Sequence, residues 1–390
     1  MSNLPLEWHL VTLGDVVRKV ENNLENPNES EYERFIKVEH LDADSLKIRR
    51  WGLVEEEALP PTFRKVFKAG QILYPTRNPH LRRTAYADFD GICGEKTLTL
   101  EPKEGLAEEL FPFIFQREDL IQHATSMMIG STNPHIRWRD LASFQFPLPP
   151  LDEQRHIAEI LWAVEDAIEG YNICGADIAV TQNVYFRDWF DKNPDADTWL
   201  DVTLKDVCTI QNGQVDPTTA PYRNMIHIAA DDIESRTGRI IEMKTAAEDG
   251  IISGKYYFTE NAVLYSKIRP NLEKVALPDF EGVCSADMYP MYPCDNILRE
   301  FLFYLLLSKD FTKYAVACSV RSAIPKINRN DLLVYRFKLP SLQEQSLFVN
   351  NLTTLMASSQ QIREHIQKLA LLKQKLLQEL LADNYANLVQ

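Results

Sequence analysis

The sequence predicts an α+β protein in which two copies of a mixed α/β domain are separated by two long antiparallel helices that form a coiled coil. The first observation is a repeat: PLPPLDEQRHIAEIL, at 147–161, returns as KLPSLQEQSLFVNNL at 338–352. Gln154 and Gln345 occupy the same place in the two segments and lie 191 positions apart, an offset that recurs along the chain. The second observation is that each segment leads into a long stretch with coiled-coil spacing. The predicted order is therefore domain, helix, domain, helix.

The two helices are predicted from positions that recur alternately three and four residues apart and form a mainly apolar seam. In the second helix these positions are Leu352, Leu355, Ser359, Ile362, Ile366, Leu369, Lys373, Leu376 and Leu380. In the first helix they are Leu161, Val164, Ile168, Tyr171, Gly175, Ile178, Gln182, Tyr185 and Trp189. An amphipathic helix of about 38 residues would be about 57 Å long and needs a partner. We predict that each helix pairs antiparallel with the other, with the domains at opposite ends.

The repeat also predicts the domain boundaries and the mixed character of each domain. We expect a first domain over 1–150, a central helix over 151–192, a second domain over 193–341 and a C-terminal helix over 342–390. VTLGDV at 11–16 returns as VTLKDV at 202–207, and ten of the thirty-one residues from Ile72 to Pro102 recur at offset 191. Short β-branched runs and turn residues predict strands in these stretches. Helical patterns follow at 108–128 and 298–318.

Composition predicts a globular chain with more than one domain. The chain has 390 residues, of which 45% are hydrophobic and 25% charged. The longest apolar run, 301–307, is too short to span a bilayer, and MSNLPLEWHL lacks the features of a signal peptide. We therefore expect a cytoplasmic protein. The six cysteines form no CxxC pair, so reduced thiols are expected and a zinc or other metal site is not.

The net charge of −14 argues against a simple nucleic-acid-binding protein, which would carry a basic surface. The acidic residues, however, are unevenly distributed. No Asp or Glu occurs in 58–87, in 120–139 or in the counterpart of the latter at 311–330. Basic charge is therefore local, and it recurs in both copies. An ordinary basic surface loop, inherited by duplication, is the alternative interpretation.

The sequence contains no common catalytic motif. GIISGKYY, at 250–257, has three residues between its glycines where a phosphate-binding loop has four, and HExxH, GxSxG and GxGxxG are absent. Cys93 and Cys284 occupy equivalent positions, but no histidine recurs beside them, and their β-rich surroundings indicate small core side chains. We therefore expect no catalytic residue in this chain.

Basic segments flanked by aromatic residues are the remaining candidates for a binding site. Tyr74, Trp138 and Tyr265 lie within or beside these segments. Guanidinium groups suit phosphates and guanine edges, and asparagine amides can pair with adenine. The candidate DNA-binding residues are Arg77, Asn78, His80, Arg82, Arg83, Arg137, Arg139, Lys267, Arg269, Asn271, Lys274, Arg321, Lys326 and Arg329.

Taken together, these segments resemble the specificity subunit of type I restriction-modification systems. The resemblance lies in FPLPPLDEQRHIAEIL and FKLPSLQEQSLFVNNL, in the preceding NPHIRWRDL and IPKINRNDL, in DFDGIC and DFEGVC, and in the long helices. It covers nearly the whole chain. One departure is that the second junction has Pro340-Ser341 where the first has Pro149-Pro150.

The resemblance implies two target recognition domains, each reading one half of a divided double-stranded DNA site, and helices that set the spacing and dock methyltransferase subunits. Candidate docking residues on the helices are Leu161, Tyr171, Ile178, Leu352, Ile362 and Leu369. No cofactor is expected in this chain. S-adenosylmethionine would bind the methyltransferase partner, and ATP and Mg would bind a restriction and translocase subunit if one joins. The alternatives are a fragment of a single-chain modification enzyme and a structural scaffold that bridges two proteins.

Overall fold

The computed structural model describes residues 8–27, 30–192, 199–319 and 325–381. The chain divides into two compact units, the first formed by Met1–Ile173 with Arg363–Gln390 and the second by Cys174–Ile362. The first unit therefore includes the end of the second long helix, although that helix belongs to the second copy of the repeat. The predicted boundaries at 150, 192 and 341 describe the repeat and stay predictions.

The first copy of the repeat combines short strands with short helices. Its strands are β1 (His9–Thr12), β2 (Val17–Val20), β3 (Asn22–Asn23), β4 (Arg34–Ile36), β5 (Gly52–Leu53), β6 (Lys65–Phe67), β7 (Ile72–Pro75), β8 (Ala85–Tyr86), β9 (Gly91–Cys93), β10 (Thr97–Pro102) and β11 (Gln145–Leu148). Its helices are α1 (Leu13–Val16), α2 (Phe111–Ile114), α3 (Glu118–Ser126), α4 (Trp138–Ala142) and the long α5 (Leu151–Lys192). The strands form the sheets β1-β11, β2-β10-β7-β8 and β3-β6-β9-β4-β5.

The second copy repeats this arrangement. Its strands are β12 (Leu200–Thr203), β13 (Cys208–Ile210), β14 (Ile226–Ile228), β15 (Lys244–Thr245), β16 (Tyr256–Phe258), β17 (Val263–Ser266), β18 (Val275–Ala276), β19 (Gly282–Cys284), β20 (Met288–Pro293) and β21 (Arg336–Leu339). Its helices are α6 (Leu204–Val207), α7 (Arg299–Leu307), α8 (Lys309–Ser319), α9 (Arg329–Leu333) and the long α10 (Leu342–Leu381). The sheets are β12-β21, β13-β20-β17-β18 and β15-β14-β19-β16. The α+β prediction is confirmed.

The helical pattern predicted before each long helix is divided into two helices. In the first copy, three residues that end with Arg117 separate α2 from α3, and in the second copy Ser308 alone separates α7 from α8. Both residues have extended backbone, with ψ angles of 134° and 148°. An extended residue ends a helix because it cannot continue the i to i−4 hydrogen bonds.

The long helices run antiparallel within each unit. In the first unit, Glu165 pairs with Lys373 and the ring of Tyr171 stacks on that of His365, so the partner number falls as the α5 number rises. In the second unit, Tyr185 accepts a 3.0 Å hydrogen bond from Asn351, and the Trp189 ring lies 4.8 Å from that of Phe348. All the predicted seam positions are buried or half-buried. The predicted seam is confirmed.

The repeated Glu-Gln pair fastens each long helix to its own domain. Gln154, which is 1% exposed, accepts a hydrogen bond from the Ala107 N–H at 2.7 Å and donates to the carbonyl oxygens of Gly105 and Pro149. Gln345 makes the equivalent three bonds in the second copy. The preceding glutamates accept from indole N–H groups, Glu153 from Trp8 and Glu344 from Trp199. The motif that dominates the sequence is therefore structural.

Ser341, which stands where the first copy has Pro150, caps the start of the second long helix with hydrogen bonds. The Ser341 hydroxyl donates to the Glu344 carboxylate at 2.6 Å, and Glu344 also accepts from the Ser341 N–H at 2.9 Å. The hydroxyl in turn lies 3.4 Å from the Glu344 N–H, which completes a capping box. These bonds, led by the Ser341 hydroxyl, lower the pKa of Glu344 below its usual range. A capped serine thus replaces the second proline of the first junction.

Replacing Gln154 with Ala should lower the free energy of unfolding by about 2–4 kcal/mol, because buried backbone groups lose their partners. Urea denaturation of the full chain measures this loss. The matched control is Gln367→Ala, a change at an exposed position of α10 in the same unit. Equal effects of the two substitutions would contradict the fastening role of Gln154.

Candidate nucleic-acid interface

A sharp turn follows the third strand in the sheet β2-β10-β7-β8 and in its counterpart β13-β20-β17-β18. It carries several of the predicted DNA-binding residues. In the first copy it follows β7 and contains a 3₁₀ turn at Pro79–Leu81, flanked by Asn78 and Arg82 with φ angles of 51° and 56°. In the second copy the turn follows β17, with Arg269 and Glu273 at φ angles of 45° and 50°. Left-handed backbone is rare for residues other than glycine. Its recurrence at the same two positions in each copy indicates a turn whose shape is fixed in both copies.

The structure places the acid-free segments against these turns. In the first unit, the backbone of Arg77 pairs with that of His135, and the Ile136 N–H donates to the Thr76 carbonyl oxygen at 2.9 Å. In the second unit, Ile268 pairs with Lys326, and the Arg269 N–H donates to the Pro325 carbonyl oxygen at 2.7 Å. We call these clusters the first basic surface (Arg77, Asn78, His80, His135, Arg137, Arg139) and the second basic surface (Lys267, Arg269, Asn271, Lys326, Arg329).

Several predicted cations already have partners within the chain. Arg137 and Arg139 both bond to Asp140, at 2.6 and 3.2 Å, and the hydrogen bond from Arg137 lowers the pKa of this carboxyl. Asp140 directly follows the acid-free window, so the window alone overstated the free basic charge. In the second unit, Lys267 and Lys274 donate to backbone carbonyl oxygens, and Arg329 bonds to Gln211 and Asn212.

Arg82, a predicted DNA-binding residue, is engaged by two carboxylates within the chain. Its guanidinium is bonded to Asp44 and Glu118. In the second copy the same place is taken by Glu273, which bonds to Arg236 at 2.7 Å. The backbones match as well, because the Asp44 N–H donates to the Arg82 carbonyl oxygen and the Arg236 N–H donates to that of Glu273. An ion pair that survives reversal of its charges indicates a role in holding the turn.

Four predicted cations have neither a carboxylate within 4 Å nor a side-chain hydrogen bond among the described residues. They are Arg77, Arg83, Arg269 and Lys326, of which Arg83 is half-buried and the others are exposed. Asn78, His80 and Asn271 are exposed beside them. Arg321 lies outside the described residues. These side chains have donors available for phosphate oxygens or base edges.

The aromatic residues of the basic segments belong mainly to the core. Tyr74 and Tyr265 are 4% and 2% exposed, and burial raises the pKa of each hydroxyl. Trp138 packs partly against the core of the first unit. Tyr74 and Tyr265 therefore contribute to the core beneath the basic segments and have no exposed ring face.

One candidate was missed in the sequence. The Arg34 guanidinium lies between two rings, 4.5 Å from the centroid of Trp51 and 4.9 Å from that of Phe89. Trp51 is exposed, and the described residues place no carboxylate within ion-pair distance of Arg34. Aromatic stacking orients a guanidinium while leaving its donors available. The three residues are separated in sequence and meet only because β4, β5 and β9 are neighbours in one sheet.

The predicted docking residues lie in the seam. Leu161 and Leu352 are buried in the cores of their units, so their side chains contact this chain and are not exposed to a second protein. Tyr171, Ile178, Ile362 and Leu369 are half-buried. Exposed apolar side chains lie elsewhere on the helices, at Val180 and Val184 in the second unit and at Leu371 and Leu372 in the first.

The two cysteines at equivalent positions are buried, and the described residues contain no metal-binding cluster. Cys93 and Cys284 are fully buried, and burial raises the pKa of Cys93 to about 12 and that of Cys284 further. Their interpretation as small core side chains is confirmed. No group of three or more histidine, cysteine or carboxylate side chains in this part of the chain could hold a metal ion. None of the described helices is long and apolar enough to cross a membrane.

Comparison with known proteins decides the family. The model of the type I restriction modification DNA specificity domain matches residues 5–173 and, a second time, residues 196–371. The chain belongs to this family. The specificity subunit of the type I restriction enzyme EcoDI from Escherichia coli is 27% identical over 98% of this chain and 88% of its own length. The MjaVIII specificity subunit from Methanocaldococcus jannaschii is 23% identical over 71% of each chain.

Two solved structures have the same fold as this chain. The S subunit of a type I restriction-modification system from M. genitalium has a TM-score of 0.62 and 14% identity, with 98% of this chain and 97% of that chain covered. A chain from a study of assembly and conformational transition of a type I system has a TM-score of 0.59 and 21% identity, with 97% and 99% covered.

Proposed function

We propose that this specificity subunit recognises a divided, asymmetric double-stranded DNA site, with each recognition domain reading one half. The observation that carries the proposal is the pair of basic surfaces. Their backbones are equivalent, yet their side chains differ: Asn78 corresponds to Arg269, His80 to Asn271 and Arg77 to Ile268. Because asparagine, arginine and histidine present different hydrogen-bonding groups to base edges, the two halves should differ in sequence.

We further propose that the long helices set the separation of the half-sites and dock methyltransferase subunits through exposed apolar residues such as Val180, Val184, Leu371 and Leu372. These replace Leu161 and Leu352 in the docking surface. The partner would bind S-adenosylmethionine, and a restriction and translocase subunit, if it joins, would bind ATP and Mg. Partner subunits can supply phosphate contacts, which makes the net charge of −14 compatible with DNA binding in the cytoplasm.

Sequencing the methylated adenines of cells that carry the complete system tests the proposal. We expect one asymmetric site in which two specified halves flank an unspecified spacer. A continuous site, or no methylation that depends on this chain, would contradict the division between two domains. A scaffold that only bridges two proteins would leave no footprint on DNA when bound to its partner.

The purified chain should show no methyl transfer, nucleotide hydrolysis or DNA cleavage on its own. Among the described residues, Cys93 and Cys284 are buried and no group of side chains could hold a metal ion, and the sequence has no phosphate-binding loop, so we expect catalysis to come from partner subunits. Assays with radiolabelled S-adenosylmethionine, ATP and supercoiled DNA measure the three activities. The assembled complex is the positive control, and activity of the isolated chain above that of a buffer blank would favour the single-chain enzyme interpretation.

A further inference from the structure

A buried ion pair joins the two long helices inside the first unit. The carboxylate of Glu165 on α5 lies 2.8 Å from the ammonium group of Lys373 on α10, and the side chains are 2% and 4% exposed. Glu165 also accepts a hydrogen bond from the Leu46 N–H at 3.3 Å, and Lys373 donates to the Asp44 carbonyl oxygen at 2.9 Å. Outside the pair itself, these bonds go to backbone atoms of residues 44–46. The pair therefore holds this loop without depending on its side chains.

The pair occurs in only one copy of the repeat. At offset 191, Met356 corresponds to Glu165 and Gln182 corresponds to Lys373. Removing two charges from water is costly, so a buried pair adds little net stability compared with apolar residues of similar volume. Its presence in one unit alone indicates a geometric role specific to that unit.

Hydrogen bonds connect the loop to the first basic surface. The Asp44 N–H donates to the carbonyl oxygen of Arg82, the residue that ends the turn carrying Asn78 and His80. The Tyr86 N–H donates to the Leu46 carbonyl oxygen at 2.8 Å, and Tyr86 lies in β8, which pairs with β7 immediately before the turn. A continuous path thus leads from the helix pair through residues 44–46 to the turn.

We propose that Glu165 and Lys373 are positioning residues for the first recognition domain. The end of the second long helix fixes the place from which the first basic surface meets DNA, although in sequence it belongs to the other copy. This inference rests on the proposed function. Because Glu165 and Lys373 bond to backbone atoms of the loop, the same pair could hold a recognition domain whose loop side chains differ.

The test is Lys373→Met in the full chain, assembled with its methyltransferase partner. Loss of the ammonium group leaves the Glu165 carboxylate buried without its charge partner. The Asp44 carbonyl oxygen also loses its shorter side-chain bond and keeps only the 3.3 Å bond from the Gln116 amide. We expect hydrogen exchange of the Leu46 amide to rise at least about tenfold. Discrimination between matched and mismatched DNA should fall about tenfold for the first half-site and stay unchanged for the second.

A second variant separates position from stability. Glu165→Gln combined with Lys373→Met removes both charges, so thermal stability should recover relative to Lys373→Met alone. Discrimination at the first half-site should nevertheless stay reduced, because the Asp44 carbonyl oxygen has lost the charged donor of α10 and keeps only the 3.3 Å bond from the Gln116 amide. Gln182→Met, at the equivalent place in the second unit, is the matched control and should change neither half-site.

Equal loss of discrimination at both half-sites, or recovery of discrimination together with stability in the double variant, would overturn the positioning role. Unchanged exchange of the Leu46 amide in Lys373→Met would overturn the grip on the loop. A wild-type complex that reads no divided site would instead overturn the proposed function, and the exchange rates would still decide whether the pair holds residues 44–46.

Discussion

Replacing Arg77, Arg83, Arg269 and Lys326 together with alanine should flatten the salt dependence of DNA binding by the assembled complex. Each phosphate contact contributes about 0.9 to the slope of log K against log salt concentration, so four contacts contribute between 3 and 4. At low salt the affinity should fall for all DNA sequences, because phosphate contacts carry no sequence information. Fluorescence anisotropy of labelled DNA, measured between about 50 and 200 mM salt, gives the slope of log K against log salt concentration.

The paired arginines provide the control for this experiment. Arg137→Ala with Arg139→Ala removes two cations that already bond to Asp140, so the loss of slope per residue should be smaller than for the unpaired set. Circular dichroism establishes that both variants keep the fold. Equal slopes for the wild type and the fourfold variant would show that the four replaced residues do not contact phosphates. They would favour the alternative interpretation, a basic surface loop inherited by duplication.

The repeat made much of the fold predictable from the sequence. Gln154 and Gln345 mark the same place in two copies, and the structure gives both residues the same three hydrogen bonds. The seam was predictable because its spacing depends only on the period of the helix. Antiparallel pairing implied that the end of α10 returns beside the start of α5, but it did not indicate that Leu377 and Leu381 enter the core of the first unit. That contact joins residues far apart in the chain and leaves no local pattern.

The candidate interface was less predictable, because its chemistry depends on which charges meet in space. Asp140 lies one position beyond the acid-free window, and Asp44 is far from Arg82 in sequence, yet these carboxylates bond to three of the predicted cations. The stack of Arg34 on Trp51 and Phe89 requires a sheet order that local patterns do not specify. Local sequence thus located the basic segments, whereas topology determined which of their side chains have free donors.

Lengthening the helix pair by four residues should lengthen the spacer between unchanged half-sites. Within the second unit, contacts such as Tyr185 with Asn351 and Gly175 with Ile362 place Gln182 opposite the region of Leu355. An insertion after Gln182 therefore needs a matching insertion near Leu355 to keep the seam in register. Four residues add about 6 Å, which corresponds to about two base pairs at 3.4 Å each.

Two controls distinguish a spacer from a general requirement for intact helices. Four residues inserted after Gln182 alone shift the seam on one side, and we expect binding to be lost or strongly weakened. Exchanging residues 11–147 for those of a relative should change the first half-site and leave the spacer and second half-site unchanged, provided that the new core accepts Leu377 and Leu381. Sequencing methylated adenines measures all three variants. An exchange that altered both half-sites together would contradict independent reading, because the second basic surface comes entirely from residues outside the exchanged segment.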